Sequence, residues 1–286
     1  MKKDLKGEKF RNKALQQIKN MNPQILEQFQ EIQVEQDIVS EDIQLLDDFI
    51  KMGQQEPNEE GTGRIQIKKN FDTIGIINLS LEKSVNLNDI KQWINTYIGL
   101  KVNILNLKLV LYYEKNLYYI EDLKNKKKYK LKRNKYESID VFSIFDVLIQ
   151  IKPQHICSLI AIIDQNIFDP LEPESNILGR ACGDGVCVVQ FQDNKKEFYG
   201  TIVHELMHTL GFDHCYLWNC LMNETVDCCS INLCINDLEK LFLIKKYDKI
   251  KRYKCLLSFY MKEGFKEEIL WVQKMIKLYE SQNQLN

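Results

Sequence analysis

His204-Glu205-Leu206-Met207-His208-Thr209-Leu210-Gly211-Phe212-Asp213-His214 decides how this chain is read. Residues four apart on a helix share a face, so a helix through this stretch aims His204 and His208 at one point. Gly211 can take a positive φ that other residues avoid, ending the helix and turning the chain back. The turn brings His214 round as a third nitrogen donor. Three imidazoles suit zinc, and three protein ligands leave a fourth position for water, as in a catalytic site and not in a closed structural one. Glu205 is placed to reach that water instead of the metal. Zinc lowers the pKa of the water to roughly 7, and a neighbouring carboxylate can take its proton during attack on a carbonyl and pass it to the leaving amine. Three of the chain's four histidines lie in this run, which makes a chance arrangement the poorer reading. The fourth, His155, follows a proline in a loop leading into a strand and reads as a structural or surface residue.

The next residues narrow the reading. Cys215 follows the third histidine, then come Cys220 and Met222. The pattern HExxHxxGxxHCxxxxCxM resembles the archaemetzincins, zinc metallopeptidases among the metzincins. The resemblance implies that Met222 forms a tight turn beneath the catalytic metal, and that cysteines hold a second zinc. Downstream, Leu233-Cys234-Ile235-Asn236-Asp237-Leu238-Glu239-Lys240-Leu241 is similar to the family's LCPxCLRKL segment. Arg252-Tyr253 and Trp271 sit where its C-terminal helices carry such residues. Upstream, Ile160–Asp164, Leu178–Ala181 and Val186–Phe191 resemble the strand, loop and edge strand that precede the zinc helix. The likeness covers residues 70–275 and is strongest over 159–241.

Two departures bear on the second zinc. Asp237 stands where the family has the second cysteine of CxxC, and the interval from Met222 to Cys234 is shorter than usual, with Cys228 and Cys229 inside it. Thiolate and carboxylate are both zinc ligands. The set is therefore Cys215, Cys220 and Cys234 with Cys229 as fourth ligand, with Cys228 or Asp237 as the alternatives; otherwise the site has lapsed and the thiols are simply buried.

Composition is that of an ordinary globular protein: 286 residues, 44% hydrophobic, formal net charge −1. Near-neutrality gives no electrostatic case for nucleic acid or a membrane as partner. The start lacks the apolar core of a secretory signal, no run approaches the roughly 20 apolar residues that span a bilayer, and cysteines crowded at 215–234 read as reduced metal ligands. A cytoplasmic, or nuclear, monomer is expected.

Along the chain, residues 1–52 read as a helical extension with stripes at Leu15, Ile18, Ile25, Leu26, Phe29 and at Ile43, Leu45, Leu46, Phe49, the second helix starting at Ser40-Glu41-Asp42. Residues 53–69 read as a linker, with a packed cap as the alternative for this part, and residues 70–286 as the catalytic domain. In it we expect a strand at 73–79, a helix to about residue 98, and a hairpin of 102–114 with 117–120 across Lys115-Asn116. Lys124–Lys135 is most simply a solvated hairpin edge, with binding of an anionic partner the alternative. A helix at 141–149, a buried strand at 159–163 and the zinc helix at 198–209 follow, the last anchored by Ile202, Val203, Leu206, Met207 and Leu210. Residues 236–250 and 263–281 read as amphipathic helices with Leu238, Leu241, Phe242, Ile269, Leu270, Val272 and Ile276 in the core. Cys255 reads as a buried small hydrophobe.

In metzincins the strand before the zinc helix is a sheet edge lying against bound substrate. The resemblance therefore assigns substrate contact to Val186, Val188 and Val189, by addition of an extended peptide to the edge; a covered edge is the plainer alternative. The fold class expected is α/β (α+β): a mixed twisted sheet, a zinc-binding active-site helix and C-terminal helices. The expected function is peptide-bond hydrolysis with one catalytic zinc, a second structural zinc, Glu205 as general base and acid, and a peptide or protein as substrate. A zinc-binding scaffold with little turnover and a hydrolase of a non-peptide amide or ester are the alternatives.

Overall fold

The computed structural model describes residues 5–18, 23–32, 43–54, 67–68, 70–81, 85–223 and 230–285. In chain order the elements are α1 (Leu5–Gln17), α2 (Pro23–Leu26), α3 (Leu46–Met52), β1 (Thr73–Asn78), α4 (Leu87–Ile98), β2 (Lys101–Ile104), β3 (Leu109–Glu114), β4 (Leu117–Asp122) and β5 (Lys127–Lys130). Then come β6 (Ile139–Asp140), α5 (Val141–Ile151), β7 (Ile156–Ile163), β8 (Ile167–Phe168), β9 (Asn176–Ile177), β10 (Gly179–Cys182) and β11 (Val186–Gln190). The last four are α6 (Lys195–Thr209), α7 (Ile235–Ile244), α8 (Lys249–Glu263) and α9 (Lys266–Leu285). The chain divides into two compact units, one of Glu56–Asn95 with Leu100–Gly211, the other of Met1–Gln55 with Thr96–Gly99 and Phe212–Asn286.

The first unit is built on a five-stranded sheet in the order β10-β11-β7-β1-β2. β2, β1, β7 and β11 run parallel and β10 antiparallel. Parallel neighbours need a crossover, and α4 supplies it between β1 and β2. β7 (ICSLIAII) is buried at every position, as a strand covered on both faces must be. α5 starts where Asp140 accepts the Phe142 N–H (2.8 Å), and α6 packs on β10 and β11. β3, β4 and β5 form a separate antiparallel sheet. Its first hairpin turns at Lys115 and Asn116, both at positive φ (50° and 62°), the backbone that a two-residue turn requires. Lys128, in the lysine-rich stretch, pairs with Glu114 at 2.9 Å on an exposed face. This mixed α/β architecture, continued by C-terminal helices, is the expected fold class.

One expectation about site residues is corrected. Val186–Phe191 is not the sheet edge: β11 is hydrogen-bonded to β7 on one side and β10 on the other, and Val186, Val188 and Val189 are fully buried. The chain makes a hairpin at Gly185 (φ 72°) that lays the shorter, more polar β10 outside. The backbone groups of β11 that were assigned to substrate are therefore spent within the sheet.

In the second unit, the N-terminal helices and α7–α9 share a core that includes Ile18, Ile25, Phe29, Phe49, Leu238, Leu241, Tyr253 and Val272. Arg11 donates to Ile32 O (2.9 Å) and Leu217 O (3.4 Å) and pairs with Glu31 (3.1 Å). The ring of Phe29 meets Trp271 edge-on at 5.9 Å. α3 starts at Leu46; the expected start at residues 40–42, and residues 55–66 of the expected linker, lie outside the described residues. Where two helices were expected after Cys234 there are three. Asp248 caps α8 at the Lys251 N–H (2.7 Å), and Gly264 (φ 79°) closes it. Its lysine-rich first turns hide the buried face of Tyr253, Leu256, Phe259 and Tyr260. Leu270 is 69% exposed and Cys255 is exposed, against the expectation for both. Among the described residues no helix is long and apolar enough to cross a membrane.

Candidate metal centres

α6 begins at Asn194, whose side chain accepts the Lys196 and Glu197 N–H groups (3.1 and 3.4 Å). At its other end the Thr209 hydroxyl bonds Leu206 O and meets the Ser158 hydroxyl of β7, each at 2.7 Å and buried. The last turn is thereby pinned to the central strand, and Ile202, Val203, Leu206 and Met207 are fully buried as expected. His204 and His208 fall on one face with their Nε2 atoms 3.0 Å apart. Two imidazole nitrogens turned toward each other at that distance converge on one proton or one cation. Gly211 has φ 89°, the left-handed backbone that ends the helix after the second histidine.

Glu205 is buried on the same helix, and its burial pushes the carboxyl up to about 8, with the Arg180 guanidinium pulling the other way. Arg180 is itself held by Asp169 (Nε to Oδ2 3.0 Å). Gly179 makes room for the carboxyl: a Cβ there would lie 2.7 Å from Glu205 Cγ.

His214 lies in the segment that opens with Phe212 and is partly buried. The chain after it is held firmly. Cys215 N–H donates to Met222 O (2.6 Å), and Asn223 Nδ2 donates to Cys215 O and to Trp218 O (3.0 Å). Met222 is fully buried in a turn.

The second cluster consists of Cys215, Cys220, Cys234 and Asp237, all buried, their ligand atoms within 4.8 Å of one another. Cys215 Sγ and Cys234 Sγ are 3.8 Å apart, and Asp237 Oδ2 lies 3.6 Å from Cys220 Sγ and 3.3 Å from Cys234 Sγ. Burial pushes the Cys220 and Cys234 thiols up, whereas hydrogen bonds from those two pull Cys215 well below the ordinary thiol value. The other carboxylate oxygen, Oδ1, accepts from Lys240 Nζ (2.8 Å), and that lysine is only 1% exposed. Among the described residues Asp237 is the fourth donor of this cluster; Cys228 and Cys229, the other candidates for that place, lie outside the described residues.

Sequence reasoning assigned no role to Gly179, Arg180, Lys240 or Gln44. Gly179-Arg180 and Lys240 stood inside quoted stretches without a sign of their contacts. Gln44, which bonds Asp213, had no signal at all.

No family model matches the chain, and no curated protein matches it. Among solved structures it is similar to a zinc-dependent peptidase from Methanocorpusculum labreanum (strain Z), at 13% identity and a TM-score of 0.43, covering 59% of this chain and 99% of that one. It is also similar to the archaemetzincin of Methanopyrus kandleri, at 16% identity and a TM-score of 0.48, covering 63% and 99%.

Proposed function

We propose that this chain is a zinc-dependent metallopeptidase of the archaemetzincin type. The observation that carries the reading is the pair of Nε2 atoms 3.0 Å apart on α6, with the buried carboxyl of Glu205 beside them. The donor set fits the metal: imidazole nitrogens for a catalytic zinc, thiolates with a carboxylate for a structural one. His204, His208 and His214 would hold the first ion, His214 on the strength of its spacing and of the turn at Gly211. Zinc there supplies Lewis-acid activation of water and of a scissile carbonyl.

The protein supplies the rest. Glu205 takes the proton of the attacking water and delivers it to the leaving nitrogen. A cation on its neighbours would favour its ionised form, against the effect of burial. The outer edge of β10 would hold an extended peptide by strand addition, in place of β11. Cys215, Cys220, Cys234 and Asp237 would close around a second, structural ion, with four protein ligands and no open position. Met222 would support the catalytic site from beneath.

The test combines zinc stoichiometry with a panel of peptide, ester and non-peptide amide substrates. Two zinc ions and peptide hydrolysis that falls by about 10²- to 10⁴-fold in Glu205→Gln are expected. Zinc without turnover on any substrate would favour a scaffold, and no zinc after reconstitution would remove the enzyme reading.

A further inference from the structure

Asp213, the residue before His214, is gripped by a side chain from the N-terminal segment. Gln44 Nε2 donates to Asp213 Oδ2 (2.8 Å), and the Asp213 N–H donates to Gln44 Oε1 (3.4 Å). One amide group thus reads both the side chain and the backbone of one residue, 169 positions away in sequence. Gln44 is buried and anchored: its own carbonyl accepts from Asn236 Nδ2 (3.1 Å) on α7. Five residues on, Phe49 packs its ring 4.9 Å from that of Phe212. Lys240, bonded to Asp237, sets its ammonium 5.9 and 5.8 Å from the centroids of those two rings. Residues 43–49 therefore hold both positions that precede His214, Phe212 by packing and Asp213 by a two-point hydrogen bond. The Cys215 N–H is fixed from the far side by Met222 O.

We propose that Gln44 is a positioning residue for the third histidine: it fixes the backbone at Asp213 so that His214 is preorganised to bind zinc. The inference rests on the reading of His214 as a ligand. A ligand carried on irregular chain must be ordered when the metal binds, and a clamp that orders it beforehand raises affinity without touching the ion. Outer partners of metal ligands usually matter by about 10- to 100-fold in metal affinity. A merely structural glutamine would satisfy Asp213 and contribute to stability, with no preference between the two zinc sites.

The full-length protein decides, with zinc affinities measured by competition against a chromophoric chelator. Gln44→Glu sets two carboxylates against each other; Gln44→Met removes the donor and acceptor without adding charge. Either is expected to weaken one zinc by about 10- to 100-fold and leave the other unchanged. The swap Gln44→Glu with Asp213→Asn restores a donor–acceptor pair and should recover the affinity. His214→Ala serves as the reference and should weaken the same ion. The proposal is overturned if Gln44→Met binds both ions as the wild type does while His214→Ala loses one, or if both ions weaken together. If His214→Ala also keeps both ions, the assignment of His214 as a ligand fails, and the clamp fails with it.

Discussion

Glu205 combines a buried carboxyl with two histidines of its own helix turn, so its charge state depends on what those histidines hold. Glu205→Gln keeps the shape and should keep zinc, while hydrolysis falls by about 10²- to 10⁴-fold; loss of the metal in that variant would make Glu205 a ligand and not a base. Without metal the same carboxyl acts on stability. Its folded-state value of about 8 lies above the ordinary 4.5, so the folded state favours the neutral acid. Stability linked to it is fully present below pH 4.5 and is lost as pH rises through about 8. Chelator-treated Glu205→Gln should therefore melt higher than the wild type near pH 8 and close to it near pH 4.5; parallel melting curves across that window would contradict the assignment. Gly179 offers an independent probe. Its missing Cβ is the space Glu205 uses, so Gly179→Ala should lower kcat by up to about 10²-fold through misplacement of the carboxyl, with zinc content unchanged.

At the scale of elements, α7 carries a buried ion pair one turn apart on a single face: Asp237 turns one oxygen toward the sulfurs and the other to Lys240, 2.8 Å away. Lys240→Met should destabilise the protein by at most about 3–5 kcal/mol, the range for breaking one side of a buried pair, read by denaturant unfolding. Adding Asp237→Asn should recover part of that loss while weakening zinc; full stability of the single variant would show that the lysine contributes nothing. What could be read in advance follows from range in sequence. The histidine motif was legible because its members lie within eleven residues and one helical turn relates the first two. The order of β10 and β11 was not, since both are short stretches before the helix and only the polar character of β10 hints which one pairs twice. Nor was α8, whose buried face is interrupted by lysines. Lys240 reads as a surface residue of an amphipathic helix until Asp237, one turn earlier, is seen to need a counter-charge.

For the molecule as a whole, the two candidate metal clusters, under the proposed function, predict a dependence of stability on zinc. A binder of the folded state alone stabilises by about 4 kcal/mol at a thousandfold excess over its Kd. A strong chelator should accordingly lower the Tm, and re-addition of zinc should restore it; an unchanged Tm with two ions removed would show that neither site supports the fold. The strands and most of the helices were legible through periodicity and the mixed sheet through the family resemblance, but the core shared by the described N-terminal segments and the C-terminal helices stood only as the packed-cap alternative, because contacts of such separation leave no local mark. That sharing sets a timetable for biosynthesis. Arg11 bonds a carbonyl 206 residues later and Gln28 receives a bond from Trp271, 243 residues on. At about 5–20 residues per second on the ribosome, the helices made first wait on the order of 10–50 s for their partners. Through that interval apolar side chains such as Phe29, which meets Trp271 in the finished fold, lack the late-made neighbours that cover them.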